Sequence, residues 1–131
     1  AGAELLKECR TLHGCRTGEA KITNAYQLPC SYVIHTPGPI WQGGNHGECE
    51  LLESCYRSCM TLAQQYHIES IAFPSISTGA YRFPLEQAAR IALRTIQEAN
   101  TPMQSVKTVY LVCFDDHTRQ LYEQLKEESS R

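Results

Sequence analysis

The sequence predicts an α/β fold in which a partly parallel sheet is covered by helices. Three observations lead to this prediction. Short β-branched segments alternate with strongly periodic amphipathic helices from residue 32 onwards, which is typical of strand–helix–strand units. A loop of mostly small residues at 75–84 (SISTGAYRFP) stands between an apolar strand and a helix start. At 131 residues the chain is long enough for one domain with its own core.

The first part of the chain supplies the end of a helix and two strands. Residues 1–12 place apolar side chains on one helical face, namely Leu5, Leu6, Cys9 and Leu12. After a turn bracketed by Gly14 and Gly18, a short strand is predicted at 20–23. A connector at 24–29 leads to a stronger strand at 32–36, which Pro37 ends. The Gly-rich stretch 40–47 predicts a surface loop. We expect Trp41 to lie loosely in it rather than to flank a ligand cleft.

Helices dominate the remainder of the chain. A long helix is predicted at 48–67, a strand at 70–73 and a second helix from Pro84, because proline suits the first turn of a helix. The β-branched and aromatic run at 108–114 predicts a strand. Asp116 is predicted to cap a last helix whose Leu121, Tyr122 and Leu125 face inward, followed by a fraying polar tail at 127–131.

Composition excludes several classes of protein. The net charge of −2 and the pI near 6.2 show no excess of basic residues, so a nucleic acid is not an expected partner. Neither a signal peptide nor a membrane-spanning apolar run is visible. The seven cysteines are odd in number and contain no CxxC pair, which favours reduced thiols in a cytoplasmic protein. A zinc site at His46 and Cys49 is conceivable, but its spacing is not diagnostic.

The loop at 75–84 is the main candidate site. A turn of small residues before a helix leaves backbone N–H groups free, and the positive end of the helix dipole lies behind them. This geometry suits a phosphate or a diphosphate. The loop is neither a Walker A motif nor a GxGxxG motif. The alternative interpretation is an ordinary turn between a strand and a helix. His35, within a strand, is expected to be structural.

Four ordered segments of the chain form a familiar series, namely AGAELL at 1–6, TGEAKIT at 17–23, YVIHTPGP at 32–39 and ISTGAY at 76–81. Together they resemble the macrodomain (Appr-1''-p processing) family, in its MacroD-type branch. The resemblance implies a three-layer α/β/α fold with a mixed sheet, formed by a single domain over residues 1–131. It also implies an ADP-ribose site formed by Ser75, Ser77, Thr78, Gly79, Ala80, Tyr81, Arg82 and Phe114.

In such a site the resemblance assigns the diphosphate and the distal ribose to the backbone amides of residues 77–82. Tyr81 would pack against the distal ribose and Phe114 would lie near the adenine. Arg82 would either reach a phosphate or point to solvent, and we expect the second. The resemblance implies neither a cofactor nor a metal, and no residue of this sequence is assigned a catalytic role.

The sequence also departs from the family pattern. The family's first strands, its Asn-Ala-Ala-Asn motif and a Gly-rich loop with an Asp would precede Ala1 and are not in this sequence, so the domain is expected to be truncated at its N-terminus. We therefore expect open sheet edges that favour a dimer or recruitment of a separate N-terminal fragment. The implied function is O-acetyl-ADP-ribose deacetylation or mono-ADP-ribosyl hydrolysis, with weak turnover by this chain alone. The alternatives are an ADP-ribose reader without turnover and a non-binding fragment.

Overall fold

The computed structural model describes residues 16–24, 32–79, 81–100, 106–113 and 115–129. The predicted helix at 1–12 and the predicted site residues Ala80 and Phe114 lie outside the described residues. Strands and helices follow one another in the order β1 (Lys21–Asn24), β2 (Tyr32–His35), α1 (Glu48–Gln65), β3 (Ser70–Phe73), α2 (Leu85–Ala99), β4 (Thr108–Leu111) and α3 (Asp116–Ser129). The predicted alternation of strands and helices is confirmed.

The strands form one antiparallel and one parallel pair. β1 pairs with β2 antiparallel, with Ile22 opposite Ile34. β3 pairs with β4 in parallel, from Ser70 opposite Thr108 to Phe73 opposite Leu111. The prediction that the last strand extends to residue 114 was therefore wrong. Its partner β3 ends at Phe73, and the Val112 N–H donates to the Phe73 carbonyl at 2.8 Å just beyond the last paired residues.

The core lies between α1 and the elements that pack around it. The buried face of α1 consists of Leu52, Cys55, Tyr56, Cys59, Met60 and Ala63, and that of α2 includes Ala88, Ala89, Ile91, Ala92 and Ile96. The alanines of α2 present little bulk, which lets α1 and α2 approach closely. Tyr122 and Leu125 of α3 are 6% and 4% exposed, as their predicted inward orientation requires.

Two helix ends differ from the prediction. α1 ends at Gln65 rather than at residue 67, because His67 adopts a left-handed conformation (φ 53°) and Ile68 N–H donates to the Ala63 carbonyl at 2.9 Å. A glycine usually takes this position, so the sequence carried no stop signal. α3 continues to Ser129, through part of the tail that was expected to fray.

The residue that caps α3 is Asp115, not Asp116. The Thr118 N–H donates to Oδ1 of Asp115 at 2.8 Å, whereas Asp116 is already the first residue of the helix. The prediction was therefore wrong by one residue. With two consecutive aspartates, only the backbone geometry decides which carboxylate reaches the N–H group of N3.

A trough of about 880 Å³ separates the two strand pairs. All four residues of β3 line it, together with Tyr32, Val33 and Ile34 of β2. Consecutive residues of a strand point to opposite faces of a sheet, so a cavity that all of them line lies at the strand's edge. Neither edge is paired with a strand among the described residues.

β2 and β3 run in the same direction along this trough. The rings of Tyr32, which opens β2, and Tyr66, which precedes β3, lie 5.4 Å apart. At the opposite end, Gly38 follows β2 and lies against Ile76 and Ser77, which follow β3. The loops after both strands therefore meet at one end of the molecule, which is the end where ligands bind in sheets of this kind.

Candidate functional site

The loop after β3, residues 75–83, turns back on itself through two residues with left-handed backbones. Ser77 has φ 67° and Arg82 has φ 61°. Two backbone hydrogen bonds close the turn, from Arg82 N–H to the Gly79 carbonyl at 3.0 Å and from Phe83 N–H to the Ser77 carbonyl at 2.9 Å. The conformation is thus fixed from within the loop, although two non-glycine residues occupy a region that side chains disfavour.

Several N–H groups of this loop have no acceptor in the part of the chain that the structure describes. Among the described residues, none accepts a hydrogen bond from the backbone N–H of Ser77, Thr78, Gly79 or Tyr81. Space is open beside Gly79, where an added Cβ would meet no atom within 4 Å. Successive N–H groups in a turn that contains a left-handed residue form a concave site suited to an anion. The loop is therefore able to receive a phosphate.

The hydroxyls of Ser75 and Thr78 serve the loop itself. Thr78 Oγ1 lies 2.7 Å from Ser75 Oγ and 3.0 Å from the Ser75 carbonyl oxygen. On the core side of the loop, the hydroxyl of the buried Tyr56 of α1 accepts a hydrogen bond from the Ile76 N–H at 3.4 Å. Burial raises the pKa of Tyr122 in α3, whose hydroxyl also interacts with those of Ser75 and Tyr56. The start of the loop is thereby tied to two helices.

Ser77 is turned toward the loop after β2. Its Oγ is buried and has no hydrogen-bond partner among the described residues. It lies 2.2 Å from the position that a Cβ on Gly38 would occupy. The carbonyl of the preceding Pro37 accepts hydrogen bonds from Gly18 N–H (3.2 Å) and Cys55 Sγ (3.4 Å), which fixes this second loop on α1.

The side chains of Tyr81 and Arg82 are exposed, and that of Tyr81 is 42% accessible. Tyr81 also lines a smaller cavity of about 300 Å³, together with Pro37, Gly38, Gln42 and His46 among others. The structure therefore brings the loop after β2 and the loop after β3 to one place, at the carboxyl ends of these two strands. Ala80 and Phe114 are outside the described residues.

Trp41 is more firmly held than the sequence suggested. The backbone N–H of Trp41 donates to the Tyr81 carbonyl at 2.9 Å, and the indole ring packs against the ring of Phe83 with centroids 4.8 Å apart. The ring also covers Gly44, where an added Cβ would meet Cη2 of Trp41 at 3.0 Å. The expectation of a loose loop was wrong, because Phe83 supplies an apolar surface that cannot be located from the sequence.

Glu48 is a residue that the sequence analysis missed. Only 2% of it is exposed, yet its carboxylate accepts three backbone hydrogen bonds, from Gln42 N–H (2.8 Å), Gly44 N–H (2.8 Å) and His46 N–H (2.6 Å). Desolvation raises the pKa of Glu48, but the three donors outweigh it and lower the pKa to about 2. The sequence did contain a signal for this arrangement, because a Gly-rich loop, whose backbone N–H groups need acceptors, precedes a helix that begins with Glu.

Other polar groups near the site are engaged structurally. His35 Nε2 lies 2.9 Å from Thr23 Oγ1 across the β1–β2 pair. In the part of the chain that the structure describes, no three His, Cys, Asp or Glu side chains come together in a way that could hold a metal ion. None of the described helices has the length and apolar character needed to cross a membrane.

Comparison with known proteins places the chain in a family. The family model described as Macro domain matches residues 1–92. A macro domain-containing protein of Lactiplantibacillus plantarum is 55% identical over 123 residues, which are 93% of this chain and 72% of that protein. A Salmonella gallinarum protein named O-acetyl-ADP-ribose deacetylase is 48% identical over 129 residues, which are 95% of this chain and 72% of that protein.

Solved structures agree with the sequence matches. The Oceanobacillus iheyensis macrodomain with ADP has a TM-score of 0.91 at 39% identity, covering 99% of this chain and 72% of that one. A mutant of the same macrodomain with ADPR has a TM-score of 0.90 at 40% identity, covering 100% of this chain and 74% of that one. The predicted α/β class with a mixed sheet is confirmed, and the chain belongs to the macro domain family.

Proposed function

We propose that this chain binds ADP-ribose, with the diphosphate held over residues 77–81 by backbone N–H groups. One observation carries the proposal: the N–H groups of Ser77, Thr78, Gly79 and Tyr81 have no acceptor among the described residues and lie in a turn that begins with a left-handed residue. Such groups bind anions without requiring a basic side chain. The solved Oceanobacillus macrodomain structures, one with ADP and one with ADPR, support the same ligand class.

The remaining contacts of the proposed site are those that the resemblance implies. Tyr81 is half-exposed within the loop and is proposed to pack against the distal ribose. Arg82 is exposed and is proposed to remain in solvent, as predicted. Phe114 is proposed to lie near the adenine, and Ala80 is proposed to contribute its backbone N–H to the anion site.

The proposed reaction class is hydrolysis of an ester at the distal ribose, as in O-acetyl-ADP-ribose deacetylation or mono-ADP-ribosyl hydrolysis. The name of the Salmonella relative, at 48% identity, supports the first of these. We also propose that the chain belongs to the MacroD-type branch and works in the cytoplasm. Among the described residues, Cys49, Cys55, Cys59 and Cys113 form no disulfide, which suits a reducing compartment.

Calorimetric titration of the purified chain with ADP-ribose tests the binding proposal. We expect one-to-one binding to ADP-ribose and none to ribose, because the diphosphate supplies the charge that the loop receives. Absence of heat from a folded chain would contradict the proposal. Acetate release from O-acetyl-ADP-ribose, measured on the same preparation, separates an enzyme from a reader that binds without turnover.

We further propose that a second polypeptide, another copy of this chain or a separate fragment, completes the sheet between β2 and β3. The trough supports this, because β2 and β3 line it and neither is paired with a further strand there among the described residues, so an extended segment could add to the sheet. Tyr32, Tyr66 and Tyr110 also line the trough and are exposed, and tyrosine is enriched where proteins meet. Light scattering on the purified chain tests pairing between two copies, since a monodisperse monomer of 14.8 kDa would contradict it and leave the separate fragment.

A further inference from the structure

The segment 41–48 contains an anion site that the protein fills itself. The N–H groups of Gln42, Gly44 and His46 converge on the Glu48 carboxylate, two on Oε2 and one on Oε1. Three donors on one carboxylate are sufficient to compensate for its removal from water. Glu48 is also the first residue of α1, where a negative charge interacts favourably with the helix dipole.

This clamp determines the course of the loop. Gly43, Gly44 and Gly47 have φ values of 96°, 92° and 76°, so the chain follows a path that few other residues permit. Glycine is flexible as well as permissive, and such a segment orders only when something fixes it. Glu48 fixes it, because a single side chain on a rigid helix bonds to three loop residues at once.

The loop in turn holds the proposed ADP-ribose site. Trp41 precedes Gln42, the first residue bonded to Glu48, and the backbone N–H of Trp41 donates to the Tyr81 carbonyl at 2.9 Å. The indole ring of Trp41 packs on Phe83, whose backbone N–H donates to the Ser77 carbonyl and so closes the proposed anion-binding turn. Glu48, Gln42, His46 and Tyr81 also line the same 300 Å³ cavity. The clamp and the binding loop are therefore two walls of one cleft, joined at Trp41.

We propose that Glu48 is a positioning residue for the ligand: by clamping residues 42–46 it holds Trp41 against Tyr81 and Phe83, and so sets the position of Tyr81 in the cleft. The part that concerns the ligand rests on the proposed ADP-ribose function. Glu48 itself does not touch the ligand in this scheme, since its oxygens are already occupied by the loop.

The test compares Glu48→Gln with Glu50→Gln. Both variants remove one negative charge from the first turn of α1, but Glu50 is exposed and accepts none of the three loop hydrogen bonds. Glutamine at position 48 keeps the size of the side chain, but its NH₂ group opposes an N–H donor. Glu48→Asp keeps the charge with a shorter reach, and it serves as a second variant if Glu48→Gln does not fold.

Two readouts are measured on variants whose far-UV circular dichroism matches the native chain. Trp41 is the only tryptophan, so its emission reports directly on the loop without ligand. We expect Glu48→Gln to shift Trp41 emission to longer wavelength and to raise its quenching by acrylamide. We also expect roughly tenfold weaker ADP-ribose binding, because an N–H donor loses its charged acceptor. Glu48→Asp should give emission and affinity between those of Glu48→Gln and the native chain. Glu50→Gln should behave like the native chain in both measurements.

The outcomes separate this inference from the function on which it partly rests. Equal Trp41 emission in Glu48→Gln and Glu50→Gln would overturn the clamp. Altered emission with unchanged ADP-ribose affinity would overturn the positioning role, because the clamp would then be only structural. If the native chain itself gives no heat with ADP-ribose, the proposed function fails, and Trp41 emission still decides whether Glu48 holds the loop.

Discussion

The backbone of Gly38 lies directly against the side chain of Ser77. A Cβ at position 38 would be 2.2 Å from Ser77 Oγ and 2.8 Å from Cγ2 of Ile76, both closer than real contacts allow. This contact joins the loop after β2 to the loop after β3. A glycine is required at position 38 because two loops meet there, and not because its own backbone is unusual, since its φ lies outside the left-handed region.

Gly38→Ala should therefore weaken ADP-ribose binding by pushing the two loops apart. The added methyl must displace Ser77, which opens the anion-binding turn. Removing the hydroxyl that it strikes should relieve much of the clash, so the double variant Gly38→Ala with Ser77→Ala should bind better than Gly38→Ala alone. Calorimetry on the two variants and on Ser77→Ala checks this. Purely additive losses would show that the contact does not control the site.

Gly79→Val should abolish ADP-ribose binding without loss of stability. No atom lies within 4 Å of an added Cβ at this position, so the new side chain meets only the space proposed for the ligand. The melting temperature is measured alongside calorimetry. A valine variant that still binds would place the ligand elsewhere, whereas a lower melting temperature would mean that position 79 has a structural constraint not evident from its surroundings.

The stability of the chain should fall as the pH drops from about 4.5 toward 2, in part through Glu48. Its ordinary pKa is 4.5 and its pKa in the fold is about 2. Because the folded-state pKa is the lower one, the stabilisation is complete above pH 4.5. It decreases as the pH falls below 4.5 and is lost once the pH has fallen through the folded-state pKa of about 2. Urea unfolding at a series of pH values measures this.

A matched pair of variants isolates the contribution of Glu48 to that pH dependence. Glu48→Gln should give a shallower decrease in unfolding free energy below pH 4.5 than Glu50→Gln. The pKa of Asp115 is also lowered, by its hydrogen bonds with Thr118, so a residual decrease in the same direction should persist in both variants. Identical pH profiles for the two variants would contradict the low pKa of Glu48.

Asp115→Ala should lower the melting temperature more than Asp116→Ala. Asp115 accepts the Thr118 N–H at 2.8 Å, whereas Asp116 forms an exposed ion pair with Arg119 at 3.4 Å. Loss of an N-cap leaves a helix N–H group without its partner, but an exposed pair contributes little. Differential scanning calorimetry on both variants measures the difference. The reverse order would assign the cap to Asp116.

Tyr56→Phe should destabilise the chain by about 1–3 kcal/mol, because it leaves the partly buried Ile76 N–H without its acceptor. The ring, which packs 5.1 Å from that of Phe73, is kept. Tyr66→Phe is the control, since Tyr66 is 45% exposed. Urea unfolding compares the two, and equal stabilities would mean that the Tyr56 hydroxyl does not support the loop.

The sequence by itself determined which segments form helices and strands, and it marked the turn at 75–84 as a candidate for binding phosphate. Periodicity is a local property, so the buried faces of α1 and α2 could be predicted from the spacing of Leu52, Tyr56, Ala89 and Ala92. Small residues between a strand and a helix likewise mark the turn at 75–84. The end of α1 at Gln65 was missed, because a non-glycine residue such as His67 takes the left-handed position after the helix only when its surroundings stabilise it.

Only the tertiary structure decided which loop remains free to bind an anion. Both the segment 40–47 and the segment 75–83 are rich in small residues and lie before a helix, and the sequence presents them alike. In the fold the first is closed by Glu48, while the N–H groups of Ser77, Thr78, Gly79 and Tyr81 meet no acceptor among the described residues. The physical reason is that hydrogen bonds and close contacts depend on distances in space and not along the chain. Gly38 in the loop after β2 and Ser77 in the loop after β3 are distant in sequence and yet in contact.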